Sequence, residues 1–203
     1  MIFYGNPSTV AIRQSMTERK LGCITTPKQH NKIQEKWDVI ADNGCFSGAW
    51  QHDRWLAYLD KLERSQIRFV VAPDVFVDGQ ECHNQTLEKW HIHKDEITSL
   101  GFQPAFVCQQ GATTDSLPDA NFYFIGGSTD FKLGKGLLIA KDLSDQGKWV
   151  HMGRVNSLKR LRLAKSVGCK SADGTYLVFG PNRNLPKLLS WVGEVNSQYS
   201  IPF

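Results

Sequence analysis

Three aspartates in this chain each close a short apolar run. Asp42 follows Val39-Ile40-Ala41, Asp74 follows Phe69-Val70-Val71-Ala72-Pro73, and Asp173 ends Cys169-Lys170-Ser171-Ala172 before Gly174. Burying a carboxylate is costly unless it is paired or hydrogen-bonded, so the tip of a strand is a poor place for one that serves stability alone. Three at the same end of parallel strands would form one acidic cluster on one face of the fold, which points to an active site. The other tips are amides and glycines: Asn43-Gly44, Gln109-Gln110-Gly111, Gly126-Gly127-Ser128 and Met152-Gly153-Arg154. Such a ring suits a planar ligand whose edge meets carboxylate and amide while backbone approaches closely at glycine. A purine-like base fits that description.

The elements that must position these residues follow from the pattern of the chain. Short β-rich runs near residues 2–4, 21–25, 39–41, 68–72, 105–109, 122–125, 149–153 and 169–172 alternate with polar segments of helical period. The helical segments are 9–20, 53–65, 87–100, 131–144, 157–167 and 185–192, with Ser157 as an N-cap and Gly168 as a C-terminal stop. Eight strands alternating with helices predict one compact (β/α)₈ barrel over residues 1–203, with its site at the C-terminal rim of the strands. Locally, Asp42 and Asp173 also suit a helix N-cap or an Asp-Gly turn, and Asp78 before Gly79 reads as a turn residue. Phe46 and Met152 read by default as core. The shared tip position favours the site for Asp42 and Asp173.

With 41% apolar and 22% charged residues among 203, the composition is that of a soluble globular domain. No stretch is long and apolar enough to cross a bilayer, and the N-terminus lacks the pattern of a signal peptide, so a cytoplasmic location without membrane association is expected. Five cysteines in no framework spacing predict reduced thiols. The net charge of +4 is mild, but Arg154, Lys159, Arg160, Arg162, Lys165 and Lys170 lie in one stretch free of acidic residues. That stretch reads either as a solvated helix face or as a phosphate-contacting surface beside Asp173, and its position favours the second. His91 and His93 are two apart on a helix and diverge, and Cys82 and His83 have no partner at zinc spacing, so neither a metal nor a cofactor is expected. His151 suits a pocket and a hydrogen-bonded core position equally.

In order and over nearly the whole chain, these tips resemble those of the tRNA-guanine transglycosylase superfamily. Asp42-Asn43-Gly44-Cys45-Phe46 is similar to its Asp-Ser-Gly-Gly-aromatic stretch, which implies a general base at Asp42 and a base-stacking ring at Phe46. Asp74 falls where the family reads the guanine edge. Gln109-Gln110-Gly111 resembles the segment that contacts the base carbonyl, and Gly126-Gly127 resembles the pair preceding backbone that binds the exocyclic part of the base. His151-Met152-Gly153 resembles a Leu-Met-Gly whose methionine covers the other face. Asp173 falls at the nucleophile.

The family's Cys-x-Cys-x₂-Cys…His zinc site has no counterpart here. The resemblance therefore runs to compact, zinc-free DNA-guanine transglycosylases of phages and DNA-modification islands, which would put the chain in a host cytoplasm. It implies a pentosyltransferase that exchanges guanine in DNA for a free 7-deazaguanine through a glycosyl-aspartate. Asp173 and Asp42 would be catalytic. Asp74, Gln109, Gln110, Gly126, Gly127, Phe46 and Met152 would bind the base, and Arg154, Lys159, Arg160 and Arg162 the DNA backbone. Three alternatives stay open: a base-releasing N-glycoside hydrolase, a tRNA-guanine transglycosylase acting with a partner, and a non-catalytic base- or nucleic-acid-binding barrel.

Overall fold

A computed structural model describes residues 1–29, 31–48, 50–77 and 79–197. Asp78, expected as a turn residue, lies outside the described residues. The strands are β1 (Ile2–Gly5), β2 (Gly22–Thr25), β3 (Val39–Ala41), β4 (Ile67–Val71), β5 (Pro104–Cys108), β6 (Phe122–Ile125), β7 (Trp149–Met152) and β8 (Ser171–Asp173). All pair in parallel with their sequence neighbours, and β1 closes the ring on β8 through Ile2↔Ser171, Phe3↔Ala172 and Tyr4↔Asp173. The fold is the closed (β/α)₈ barrel that the alternation predicts.

The helices are α1 (Val10–Thr17), α2 (His52–Asp60), α3 (Glu81–Ser99), α4 (Thr129–Leu133), α5 (Lys135–Asp145), α6 (Leu158–Ser166) and α7 (Pro181–Ser197). Among the described residues no helix separates β2 from β3, and only a 3₁₀ turn, Thr114–Ser116, separates β5 from β6. Helix α2 ends at Asp60 rather than 65 and α7 extends beyond the expected 185–192 at both ends, and two further differences have identifiable reasons. The segment expected at 131–144 is split, because Gly134 adopts φ −113° and ψ −108° and ends α4 before α5 begins. Helix α3 starts at Glu81, ahead of the expected 87. Its buried stripe is Cys82, His83, Thr86, Trp90, His93 and Ile97, whose first members are too polar to announce a helix by apolar period. Ser157 caps α6 by accepting from the Arg160 amide at 3.3 Å. Gly168 follows it at φ 85°, where a side chain would collide with Ser144 Oγ.

Strand alternation divides the core in two. Tyr4, Ile40, Phe69, Val71, Ala105 and Val107, with Ile24, Phe122, Phe124 and Trp149 against them, fill the inside of the barrel. The alternate residues, among them Phe3, Cys23, Val39, Ala41, Phe106, Ile125, Met152 and Ala172, pack outward against the helices. The floor is polar and tied: Tyr4 Oη donates to Asp38 Oδ1 at 2.9 Å, and Arg68 Nη2 to Asp38 Oδ2 at 2.5 Å. The Arg68 guanidinium lies 4.4 Å from the Trp149 ring centroid. Arg68 is the extra residue of a bulge in β4, which lets it share the inner face with Phe69.

The Tyr4 ring lies flat against Gly22, where an added Cβ would stand 2.3 Å from it. Gly22→Ala should therefore overpack the barrel interior and lower stability by about 1–3 kcal/mol, read from the midpoint of chemical denaturation.

Candidate active site

Asp42 is the residue after β3 and shares the inward phase of Ile40, while Asp173 ends β8 in the inward phase of Ser171. Asp74 reaches the same mouth from beyond β4. Burial, then the charges of Asp173 and Asp74, push the Asp42 carboxyl up to about 7, against hydrogen bonds from the Gly44 and Asn43 amides. Burial also raises Asp74, opposed by hydrogen bonds from Asn43, Cys45 and Gln109.

Each carboxylate is held differently. Asn43 donates through Nδ2 to Asp74 Oδ1 at 2.8 Å and to the Ala72 carbonyl at 2.7 Å, and its Oδ1 accepts from the Cys45 amide. Asp173 receives two donors on one oxygen: Oδ1 accepts from the Arg154 amide at 3.0 Å and from His151 Nε2 at 3.2 Å. Its Oδ2 has no hydrogen bond among the described residues. Arg154 reaches Asp173 from a left-handed conformation, φ 59°, which is uncommon for a residue with a side chain.

His151 is fully buried in the barrel, stacked on Phe124 with ring centroids 4.6 Å apart. Its Nδ1 lies 2.9 Å from Ser171 Oγ, which accepts from Trp149 Nε1 at 3.0 Å. An indole N–H only donates and a carboxylate only accepts, so the chain runs Trp149→Ser171→His151→Asp173, with the imidazole proton on Nε2. Of the two readings open for His151, the structure combines both: a core histidine that orients a site carboxylate.

Two cations complete the rim. Lys132, on α4, is only 4% exposed, and its ammonium makes no hydrogen bond or ion pair among the described residues. Burial, then the nearby Arg154, lower its ammonium to about 8, with Asp173 acting in the opposite sense and Arg160 in the same. The sequence pattern gives no sign of this residue, because a lysine in a short helix reads as a solvated side chain. Arg154 stacks its guanidinium on Phe46, 3.4 Å from the ring centroid, and Phe76 meets the other side of Phe46 at 5.5 Å, edge-on. Phe46 follows β3 and Arg154 follows β7, four strands away around the ring, so their contact spans the mouth.

The remaining expected residues are placed less uniformly. Gln109 is buried, donating to the Val75 carbonyl at 2.6 Å and to Thr86 Oγ1 at 2.7 Å, so its amide ties β5 to the start of α3 beside Asp74. Gln110 spends its Oε1 on the Ser128 amide at 3.0 Å. Gly127, at φ 75°, packs directly on Gln110 Oε1, and Gly126 donates to the Cys108 carbonyl. Met152 belongs to the outward phase of β7 and packs under the helices, away from the mouth. Phe46, by contrast, is 63% exposed at the rim.

The basic stretch is divided by the direction of α6, which runs from the mouth toward the floor. Arg154, Lys159 and Arg160 lie at its mouth end. Arg162 is held by Glu194 of α7 at 2.6 Å, and Lys170 lies 5.7 Å from the Trp149 ring at the floor. The stretch is thus not one continuous surface. A cavity of about 1030 Å³ opens instead beside Asn43 and Gly44, between the segment after β2 and α2. Lys28, Lys32, Arg54 and Lys61 line it, with Glu63 as its one acidic lining residue among the described residues.

No protein-family model matches the chain, and no curated protein matches it. Among solved structures, tryptophan synthase from M. tuberculosis, in an aminoacrylate- and BRD0059-bound form, aligns with a TM-score of 0.52 at 12% identity. The alignment covers 95% of this chain and 67% of that one. Matches extend to 124 solved chains, a breadth that identifies the barrel and leaves the chemistry to the site residues.

The Asp42 carboxyl binds its proton more tightly in the folded protein than in the unfolded chain. Its contribution to stability is therefore full below about pH 4 and is lost as pH rises through about 7. Asp42→Asn, which cannot ionise, should match the parent at pH 4 and exceed it by about 1–3 kcal/mol at pH 8, in denaturation series at both pH values.

Proposed function

We propose that the mouth exchanges a guanine of DNA for a free 7-deazaguanine base, through a glycosyl ester on Asp173. The observation that carries this reading is the contrast between two carboxylates in one mouth. Asp173 has one oxygen fixed by two donors and the other unengaged among the described residues, as a nucleophile requires, whereas Asp42 exchanges its proton near neutrality, as an acid–base group requires.

In the first displacement Asp173 Oδ2 attacks C1′, the C1′–N9 bond breaks, and protonated Asp42 returns a proton to the leaving guanine. In the second, Asp42 takes the corresponding N–H proton of the incoming base. Its nitrogen then attacks C1′, and the ester bond breaks to restore the Asp173 carboxylate. Two displacements retain the anomeric configuration. Asp74, held by Asn43, would accept from the N1–H and 2-amino donors that distinguish a guanine edge. A planar guanidinium already rests on Phe46, so a planar base can take that place once Arg154 moves aside.

Phosphates flanking an extruded nucleotide would find Lys132, Arg154 and Arg160 beside Asp173, and the strand beyond could follow the cavity lined by Lys28, Lys32, Arg54 and Lys61. Met152 and Arg162 have no part in this reading, since one faces the helices and the other is paired with Glu194.

Labelled-guanine exchange and denaturing gels test the mechanism. Asp173→Asn should abolish exchange and leave no protein–DNA adduct. Asp42→Asn should slow both adduct formation and exchange, because the amide can neither protonate the leaving guanine nor take the proton of the incoming base, and Asp74→Asn should chiefly weaken affinity for the base. Full exchange by Asp173→Asn would eliminate the mechanism, and guanine release without uptake of any base would mark a hydrolase.

Salt titrations of DNA binding test the path. Combined alanine replacement of Lys32, Arg54 and Lys61 should flatten the salt slope by roughly one unit for each phosphate no longer neutralised, while Arg162→Ala should leave it unchanged. An unaltered slope in the triple variant would remove the cavity from the path.

A further inference from the structure

Away from the mouth, α2 and α3 bring together His52, His93 and Glu96. One ligand atom from each lies within 4.8 Å of the others. We propose that these three side chains form a binding site for a divalent transition metal, Zn²⁺ by preference, which clamps the start of α2 to α3. The site is independent of the function proposed for the mouth.

The geometry is close to that of a coordination sphere. His52 Nε2 lies 2.9 and 3.0 Å from the two Glu96 carboxylate oxygens, and His93 Nδ1 lies 2.9 Å from Glu96 Oε2. Ligands at roughly 2.0–2.2 Å from a tetrahedral zinc stand roughly 3.3–3.5 Å from each other. Opening the two His–Glu contacts by a few tenths of an ångström brings them to that spacing. His93 and Glu96 are one turn apart on α3 and so share a face, and His52 approaches them from the neighbouring helix.

The surroundings are those of a supported site. His93 is buried, with Trp50 and Trp55 edge-on at 5.5 and 5.7 Å, which fixes its ring. The other nitrogen of His52 lies 3.7 Å from the exposed Asp53 Oδ1, beyond hydrogen-bond distance. Lys89, the cation nearby, lies 4.9 Å from the Trp50 ring centroid and has that ring as its partner. His52 and Glu96 are partly exposed, so water can fill the fourth position.

Two imidazoles with one carboxylate suit zinc, cobalt or nickel, whereas calcium and magnesium prefer oxygen alone. The expectation of no metal rests on the divergence of His91 and His93 and on the lack of a partner for Cys82 and His83. His91 is indeed exposed on the far side of α3, and the relevant pair is His93 with Glu96.

The test uses the full chain, stripped with a chelator and titrated with ZnCl₂ and, separately, CoCl₂. One equivalent of Zn²⁺ should bind with a dissociation constant in the micromolar range or tighter and raise the melting temperature. The Co²⁺ form should show visible d–d absorption without thiolate charge transfer. His52→Ala and Glu96→Gln change partly exposed groups at the surface, and each should weaken Zn²⁺ binding at least about 100-fold. Cys45→Ala should bind as the parent does. Absence of Zn²⁺ binding at about 100 µM, binding by both variants equal to the parent's, or loss of binding in Cys45→Ala would overturn the assignment.

Discussion

Bringing three carboxylates into one partly dehydrated mouth is the constraint around which this barrel is arranged. Like charges held out of water repel strongly, and the protein resolves the conflict three ways. Asp42 binds a proton near neutrality, Asp74 accepts from Asn43, and Asp173 takes a backbone N–H and an imidazole N–H on a single oxygen. Each solution depends on an element other than the one that carries the carboxylate. Asn43 links the ends of β3 and β4, and Arg154 with His151 links β7 to β8. The mouth is stable only because the ring of strands is closed.

The same requirement explains the contrast between the two ends of the barrel. At the floor, Tyr4, Asp38, Arg68 and Trp149 form a paired network in which charge meets opposite charge or an aromatic face. At the mouth, Arg154 adopts a left-handed conformation, Lys132 is buried without an ion pair among the described residues, and Asp42 has a displaced proton affinity. Strain and unpaired charge persist where the surrounding structure over-determines them, and their gathering at one end separates the reactive part from the supporting one. The Phe46–Arg154 stack joins opposite sides of that end.

The outside of the barrel follows a different logic. Where β2 passes to β3 without a helix among the described residues, the gap becomes a wide basic cavity instead of a packed layer. Where α2 meets α3, the contact is made by histidine, glutamate and tryptophan rather than by aliphatic side chains. Both departures from ordinary helix-on-sheet packing lie on the side of the molecule that carries Asp42 and Asp74.

The eight strands, the barrel and the inward phase of Asp42 and Asp173 were legible in the sequence, because strand alternation and chain order are local properties. A run such as Val39-Ile40-Ala41 before Asp42 states both the strand and its end. Ser157 and Gly168 likewise mark the limits of α6 by local chemistry. The tertiary structure alone decided what each side chain does once the strands are assembled. It paired Arg162 with Glu194 and spent the amides of Gln109 and Gln110 on neighbouring segments. It also made Lys132 a buried cation, turned His151 into the orienting partner of Asp173, and brought His52 to His93 and Glu96 across two helices. These outcomes depend on which distant groups meet and how much water they lose. Neither quantity is set by neighbours along the chain, and both are fixed only when the barrel closes.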